Sequence, residues 1–361
     1  MSLAAPLTRA ELLALVDEAR RAPSVHNIQP ARWAALGPGV LALRADPART
    51  LPIADPAGHD VRLSLGAAWE GMALALARRG FSAAPPRLGY GPTAPSDLAP
   101  APAGDRPDSG RAPSSGGAPF EALLSFERGG PADPLADAVA RRAAFRGRFA
   151  ITPGPALDAL ARHLEPSGAI LVRDRSRIRE LAALADEAGD EFLRDPRYWR
   201  ETWYWLRLSP AHPGWDRDGL NADALALSGF ERALGRWLMA PACFEWVRRL
   251  GLARALLSER AQTSSAGALM LFTAPAGEDP FVTGRAFYRR WLEVTAGGLA
   301  LCPMSVLGDS KRANAEMRRL FAIPAGARLV NVLRVGTAPE GFPQRLTPRL
   351  PAEELLVATG R

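Results

Sequence analysis

Residues 92–119 place the tightest constraint on what this chain can fold into. They hold seven prolines and four glycines in 28 positions, with Leu98 the only large apolar side chain. A stretch with so little apolar surface cannot offset the entropy lost on ordering it. Strand-like runs flank it, Pro86 to Tyr90 and Phe120 to Phe126. The segment therefore reads as a long mobile insertion in a hairpin; a linker between two independent domains is the other reading.

The rest of the chain carries ordinary folding signals. Thr8 with Glu11 three residues later forms a capping box, in which each side chain satisfies an orphan amide of the other. Leu12, Leu15, Val16 and Ala19 follow at helical spacing, and Pro23 ends the run. Strands are expected at Arg32 to Leu36 and Val40 to Arg44, joined around Gly37-Pro38-Gly39. A helix over Arg62 to Arg79 would place Leu65, Trp69, Met72 and Leu76 on one face and end at Gly80. Further helices are expected at Pro134 to Phe145, Pro155 to His163, Arg175 to Leu193 and Thr283 to Gly297, the last with Phe287, Trp291 and Val294 on one stripe. Strands are expected at Ala169 to Val172, Ala268 to Thr273 and Leu329 to Val335. The helices around Trp69 and Trp291 read as counterparts, but their identity is too low to establish a repeat.

The net charge is +7, from 45 Lys+Arg against 38 Asp+Glu in 361 residues, and Lys311 is the only lysine. The arginines are scattered, with no basic run and no zinc-binding cysteine pattern, which argues against a nucleic-acid binder. His26, His59, His163 and His212 have no metal-ligand spacing. No Gly-x-Ser-x-Gly or Walker motif occurs. Cys243 and Cys302 cannot build a disulfide framework. With no signal peptide and no apolar run of spanning length, the expectation is a cytoplasmic protein with neither membrane nor nucleic-acid partner.

The most informative stretch is Ala22-Pro23-Ser24-Val25-His26-Asn27-Ile28-Gln29-Pro30. It packs a rigid proline, a hydroxyl and two carboxamides between a helix and a strand. Each carboxamide offers donor and acceptor on one plane, which suits the edge of a flat heterocycle. The same composition also suits a polar turn between prolines. Tyr198 to Leu206 is unusually aromatic, and reads either as a wall over a flat ligand or as a core helix with Trp199 and Trp203 at i, i+4.

The first of these stretches resembles the Pro-Ser-x-x-Asn-x-Gln-Pro-Trp signature of the FMN-dependent nitroreductase-like family, with Ala31 at the tryptophan position and Trp33 two residues on. Arg141 to Phe149 is similar to the family's arginine-rich phosphate segment. Gly284 to Met304 is similar to the helix and loop that flank the flavin, and Thr347 to Pro351 resembles the C-terminal element. The likeness spans most of the chain outside 92–119 and 195–250. The signature set occurs only near the start and the arginine set only after residue 140, an arrangement that resembles the single-chain, internally duplicated branch of dormancy-associated mycobacterial proteins.

That resemblance implies an α+β nitroreductase-like fold, an antiparallel-rich sheet flanked by helices. Residues 1–130 and 131–361 would be two halves forming an intramolecular pseudo-dimer around one FMN, as a monomer or a homodimer. It implies Arg142 and Arg349 as phosphate ligands, with Arg345 as a further candidate, and Arg146 near the flavin pyrimidine. Pro23, Ser24, Asn27 and Gln29 would meet the ring, and Pro303 with the backbone at Met304, Ser305 and Val306 its reactive edge. Ala144 departs from the usual Ser or Thr, and Ser305 and Val306 from the usual acidic and glycine residues. The implied activity is NADH- or NADPH-dependent reduction of a flat electron-poor acceptor such as a nitroaromatic or quinone. Storage or sequestration of FMN in a closed site is the alternative. No side chain is required as acid or base, because the cofactor carries the chemistry.

Overall fold

The capping box at Thr8 forms, with its hydroxyl accepting from the Glu11 amide and the Glu11 carboxylate accepting from the Thr8 amide, and it starts the first helix. The computed structural model describes residues 7–90, 120–167, 169–342 and 347–358. In chain order the helices are α1 Arg9–Ala19, α2 His59–Ala77, α3 Gly154–Leu164, α4 Arg175–Leu193, α5 Pro196–Tyr204, α6 Gly229–Leu238, α7 Pro241–Arg249, α8 Ala253–Leu256, α9 Arg260–Ser265, α10 Pro280–Ala296, α11 Val306–Asp309, α12 Lys311–Leu320 and α13 Ala352–Leu355. The strands are β1 Ala31–Gly37, β2 Val40–Ala45, β3 Phe81–Ala83, β4 Arg87–Tyr90, β5 Phe120–Arg128, β6 Ile170–Val172, β7 Leu206–Arg207, β8 Leu220–Asn221, β9 Ala268–Pro275, β10 Ala300–Pro303 and β11 Ala327–Gly336.

The architecture is α+β, with two antiparallel sheets flanked by helices. One sheet runs β1-β2-β5, with β3 and β4 both on the outer edge of β5. The other runs β6-β9-β11-β10. Tyr90 pairs opposite Phe120, so the chain leaves β4 and returns beside it. This is the hairpin connectivity expected there, although residues 92–119 themselves lie outside the described residues.

The two sheets, one of five strands and one of four, follow a common order. In each, an edge strand pairs the second strand, the second is followed by a long helix, and the chain returns through the opposite edge to the third. Those helices, α2 and α10, pack on each other. A methyl group at Gly66 would collide with the Phe281 carbonyl, and one at Gly284 with the Leu63 carbonyl. Each glycine thus meets the carbonyl three residues before the other glycine, a reciprocal crossing in which side-chain-free backbone lets the helices touch.

Core composition follows this layering. Leu41 and Leu43 of β2 pack with Leu65, Trp69, Met72 and Leu76 of α2, as the helical stripe predicted. Ala268 to Phe272 of β9 is buried on both faces, one against α4 and α12 and the other against Phe287 and Trp291 of α10. A strand covered on both sides reads as a continuous apolar run.

One expected helix is corrected. Residues 134–145 form a short 3-10 turn at Pro134–Ala138 and then extend. Ala144 bridges Leu301 in parallel, the Phe145 amide donates to the Leu301 carbonyl at 2.8 Å, and Ala150 bridges Thr337. Pairing with the edge of the second sheet outweighs local helix propensity. In exchange, the C-terminal arm crosses to the first sheet, where Leu356 bridges Trp33 and the Val357 amide donates to the Trp33 carbonyl at 2.7 Å.

Candidate functional site

Between α1 and β1 the chain makes a single 3-10 turn in which His26, Asn27 and Gln29 all take positive φ, at 45°, 56° and 52°. Non-glycine residues in this region cost about 1–3 kcal/mol each and persist only where the surroundings hold them. The hold is visible. The Ser24 hydroxyl accepts from the Gln29 amide at 3.0 Å. The Asn27 amide nitrogen donates to the carbonyls of Gly219 and Pro348, both at 2.9 Å, and its oxygen accepts from Arg349 at 2.7 Å. Gln29 donates to the Arg217 carbonyl at 2.9 Å and accepts from the Leu350 amide at 2.8 Å. Three distant stretches, 23–29, 217–219 and 348–350, are thereby tied together.

Beside this turn lies a cleft with about 1030 Å³ of empty space, open mouth included. Of the eleven residues expected around a flavin, eight line it: Pro23, Ser24, Asn27, Arg142, Arg146, Pro303, Ser305 and Arg349. Gln29, Met304 and Val306 do not. The carboxamide of Gln29 is engaged by backbone on both sides, and that of Asn27 by two backbone carbonyls and the Arg349 guanidinium, so neither is free for a ring edge. The Met304 amide donates to the Val332 carbonyl at 2.7 Å, which corrects its expected role as an open donor. Met304 and Val306 face instead a separate hollow between α4 and α9. Arg345 lies outside the described residues.

The arginines define one end of the cleft. Arg142 is held by Ala138 through its amide and by Arg21 through its guanidinium, 2.9 Å from that carbonyl. Its guanidinium stacks 4.7 Å from the Trp291 ring. Arg349 donates to the Arg20 carbonyl at 2.7 Å and to Asn27. Arg142 is buried and Arg349 half-buried. Burial, then the Arg142 charge beside it, pushes Arg349 down to about 9. Burial also lowers Arg142. The electrostatic neighbours of this pair are Tyr288 and the arginines Arg20, Arg21 and Arg146; no carboxylate is among them in the described residues. A smaller hollow lined by Arg20, Arg21, Arg142 and Arg349 adjoins the cleft at this end.

The opposite wall is acidic and went unnoticed in the sequence. Asp60, at the start of α2, lines the cleft, and burial together with Asp309 and Asp55 pushes it up to about 7. Asp309 is raised to about 6, mainly by burial. His26 lies between, lowered to about 4 by burial and by Arg146, and so is neutral near pH 7. An acid in the first turn of a helix reads as an ordinary dipole partner, so sequence offered no signal for Asp60. Asn331, also on the lining, did offer one: a carboxamide amid the Leu329–Val335 apolar run.

Four buried polar atoms on this lining have no partner among the described residues: His26 Nδ1, Arg142 Nε, Trp291 Nε1 and Asn331 Oδ1. Buried polar groups are rarely left so. A ligand bringing both donors and acceptors, with an anionic group for the arginines, fits this set. FMN has that make-up. The aromatic segment supplies no wall. Trp199 stacks on Phe244 at 4.0 Å and Tyr198 on Phe192 at 5.1 Å, so it is core, while Leu220 of β8 reaches the cleft. Among the described residues no cluster of His, Cys, Asp or Glu could hold a metal ion, and no helix is long and apolar enough to cross a membrane.

No protein-family model and no curated protein matches the chain. Solved structures resemble it at low identity. The FMN- and NADPH-dependent nitroreductase NfnB from Sphigopyxis sp. strain HMH is 19% identical, with 63% of this chain and 100% of that chain covered, at TM-score 0.36. The FMN-dependent nitroreductase NfnB from Mycobacterium smegmatis, in complex with NADPH, is 17% identical over 63% and 100%, also at 0.36. An oxidised iodotyrosine deiodinase bound to FMN and 3-iodo-L-tyrosine is 15% identical over 60% and 94%, at 0.35. At such TM-scores no residue's role is carried over from them.

Proposed function

We propose that this chain is an FMN-binding oxidoreductase of nitroreductase-like type. Residues 1–130 and 131–361 would act as two halves of an intramolecular pseudo-dimer that encloses one FMN. The carrying observation is the convergence of buried Arg142 and half-buried Arg349, with no carboxylate beside them among the described residues, on one end of a cleft with four unpartnered polar atoms. Two adjacent cations withdrawn from water are unfavourable unless an anion joins them, and a guanidinium fork suits a phosphate. The common strand order of the two sheets, the reciprocal glycine crossing and the exchanged arms support the pseudo-dimer.

When bound, FMN would supply two-electron chemistry, taking electrons from NADH or NADPH and passing them to a flat, electron-poor acceptor. The chain's part is to bind and orient. Arg142 and Arg349 would hold the phosphate. Trp291, Asn331 and the turn at Ser24–His26 would meet the ring system. Arg146, near neutral His26, would place positive charge beside it and favour its reduced, anionic form. Asp60 and Ser305 face the space left for the acceptor.

One observation favours a second reading, FMN storage. Asn27 and Gln29 bind the 217–219 loop, and Leu220 just beyond it reaches the cleft, so a bound ligand would be partly enclosed. The absorption spectrum of the purified protein, followed by anaerobic addition of NADH or NADPH, separates the readings. Loss of the flavin's long-wavelength band on adding a nicotinamide is expected of the oxidoreductase. Bleaching by dithionite alone indicates storage, and a protein that takes up no FMN rejects both.

A further inference from the structure

The arginine pair stands at a waist between two spaces and not at a dead end. Arg142, Thr347 and Arg349 line both the cleft and the smaller hollow that adjoins it. That hollow has about 600 Å³ of empty space, open solvent included, and the rest of its lining is Arg20, Arg21, Val139 and Ala140. Ala140 is exposed, so the hollow reaches the protein surface. The residues assigned to the ring system, Trp291, Asn331 and Ser24–His26, all lie on the other side of the waist. A group attached beyond a phosphate held at the pair would therefore have somewhere to go.

The four guanidiniums of the hollow are unequally committed. Arg20 pairs with Asp17 and donates to the Leu350 carbonyl at 2.7 Å. Arg349 directs Nε to the Arg20 carbonyl and a terminal nitrogen to Asn27. Arg142 gives one terminal nitrogen to the Arg21 carbonyl, while its buried Nε has no partner among the described residues. Arg21 is half-buried, and its side chain has no hydrogen bond, ion pair or ring contact among the described residues. Its charge is nevertheless close enough to bear on Arg349. Asp17 offsets Arg20, which leaves three guanidiniums, those of Arg21, Arg142 and Arg349, with no carboxylate among the described residues. Such a cluster is unfavourable unless anionic oxygens join it. A second phosphate bonded to the first would present its oxygens to the uncommitted fork of Arg21. A separate anion would gain nothing from the two spaces sharing a wall. Farther out, guanidinium planes offer a heteroaromatic base a face to stack on.

We propose that the hollow is a second phosphate subsite with Arg21 as its ligand, and that the site therefore takes the dinucleotide flavin FAD as well as FMN. This rests on the flavin reading of the adjoining cleft. The full-length, flavin-free protein is titrated by calorimetry with FMN and with FAD. FAD is expected to bind at least as tightly as FMN. Arg21→Gln should weaken FAD at least about tenfold and FMN less than about threefold. Its melting temperature should equal that of the wild type, since the side chain holds no partner. Ala140→Trp, which fills the hollow from its exposed edge, should likewise impair FAD and spare FMN without altering a charge. FAD weaker than FMN by about tenfold or more overturns the second subsite and leaves the FMN reading standing. Equal loss of both flavins in Arg21→Gln also overturns it, by making Arg21 a ligand of the first phosphate. So does an Arg21→Gln variant that binds FAD normally but loses a preference of the FMN-loaded protein for NADPH over NADH, which would assign the hollow to the donor nucleotide. Uptake of neither flavin rejects the subsite and the FMN reading together.

Discussion

Two arginine pairs flank the α2–α10 crossing, and they differ in one respect. Arg285 and Arg289 converge on buried Glu70 at 2.9 and 2.8 Å, and Arg289 also meets Asp133 at 2.8 Å. Arg285 lies 4.1 Å from the Trp69 ring. Every charge there has a partner, so the cluster fastens α10 to α2. Arg142 is buried and Arg349 half-buried; both donate to backbone carbonyls, and neither has a carboxylate partner among the described residues. Burial of cations with counter-ions is architecture; burial without them leaves a vacancy for an anion from outside.

Substitution should separate these roles. Glu70→Gln strands the partly exposed Arg285 guanidinium and leaves Arg289 with Asp133 alone; it should cost about 2 kcal/mol in a denaturant melt, below a fully buried pair, with FMN affinity per folded molecule unchanged. Arg142→Gln should do the converse, weakening FMN about 100-fold by fluorescence titration while the melt of the FMN-free protein barely moves. If Arg142→Gln unfolds the protein and binding survives in the folded fraction, the two pairs are alike and the distinction fails.

Titration sharpens the contrast between the two walls. Asp60 is raised from 3.8 to about 7, so the folded state prefers its protonated form. Its contribution to stability is full below the unfolded value and is lost as pH rises through about 7. Asp60→Asn should therefore gain melting temperature over the wild type at about pH 8 and little at about pH 5. Arg349, pushed down to about 9, binds an anion only while protonated. FMN affinity should fall severalfold as pH rises through about 9, the smallest effect of the set.

The turn at 22–30 and the long helices were legible because their information is local: a capping box, helical stripes and two prolines around a polar run. What escaped was non-local. Residues 139–145 look helical alone and extend only because β10 offers an open edge. Asn27 and Gln29 look like ring contacts alone, and clamp loops only because residues 217–219 and 348–350 arrive beside them. Asp60 looks like an ordinary first-turn acid until Asp309 and Asp55 are brought near.

The central claim is one phosphate-bearing flavin per chain at the arginine pair. It is tested most directly by titrating FMN-free protein in parallel with FMN and with riboflavin, which lacks the phosphate. The account predicts one FMN per chain and riboflavin weaker by at least about 100-fold. Equal affinity for the two, or two equivalents of FMN per chain, would contradict it.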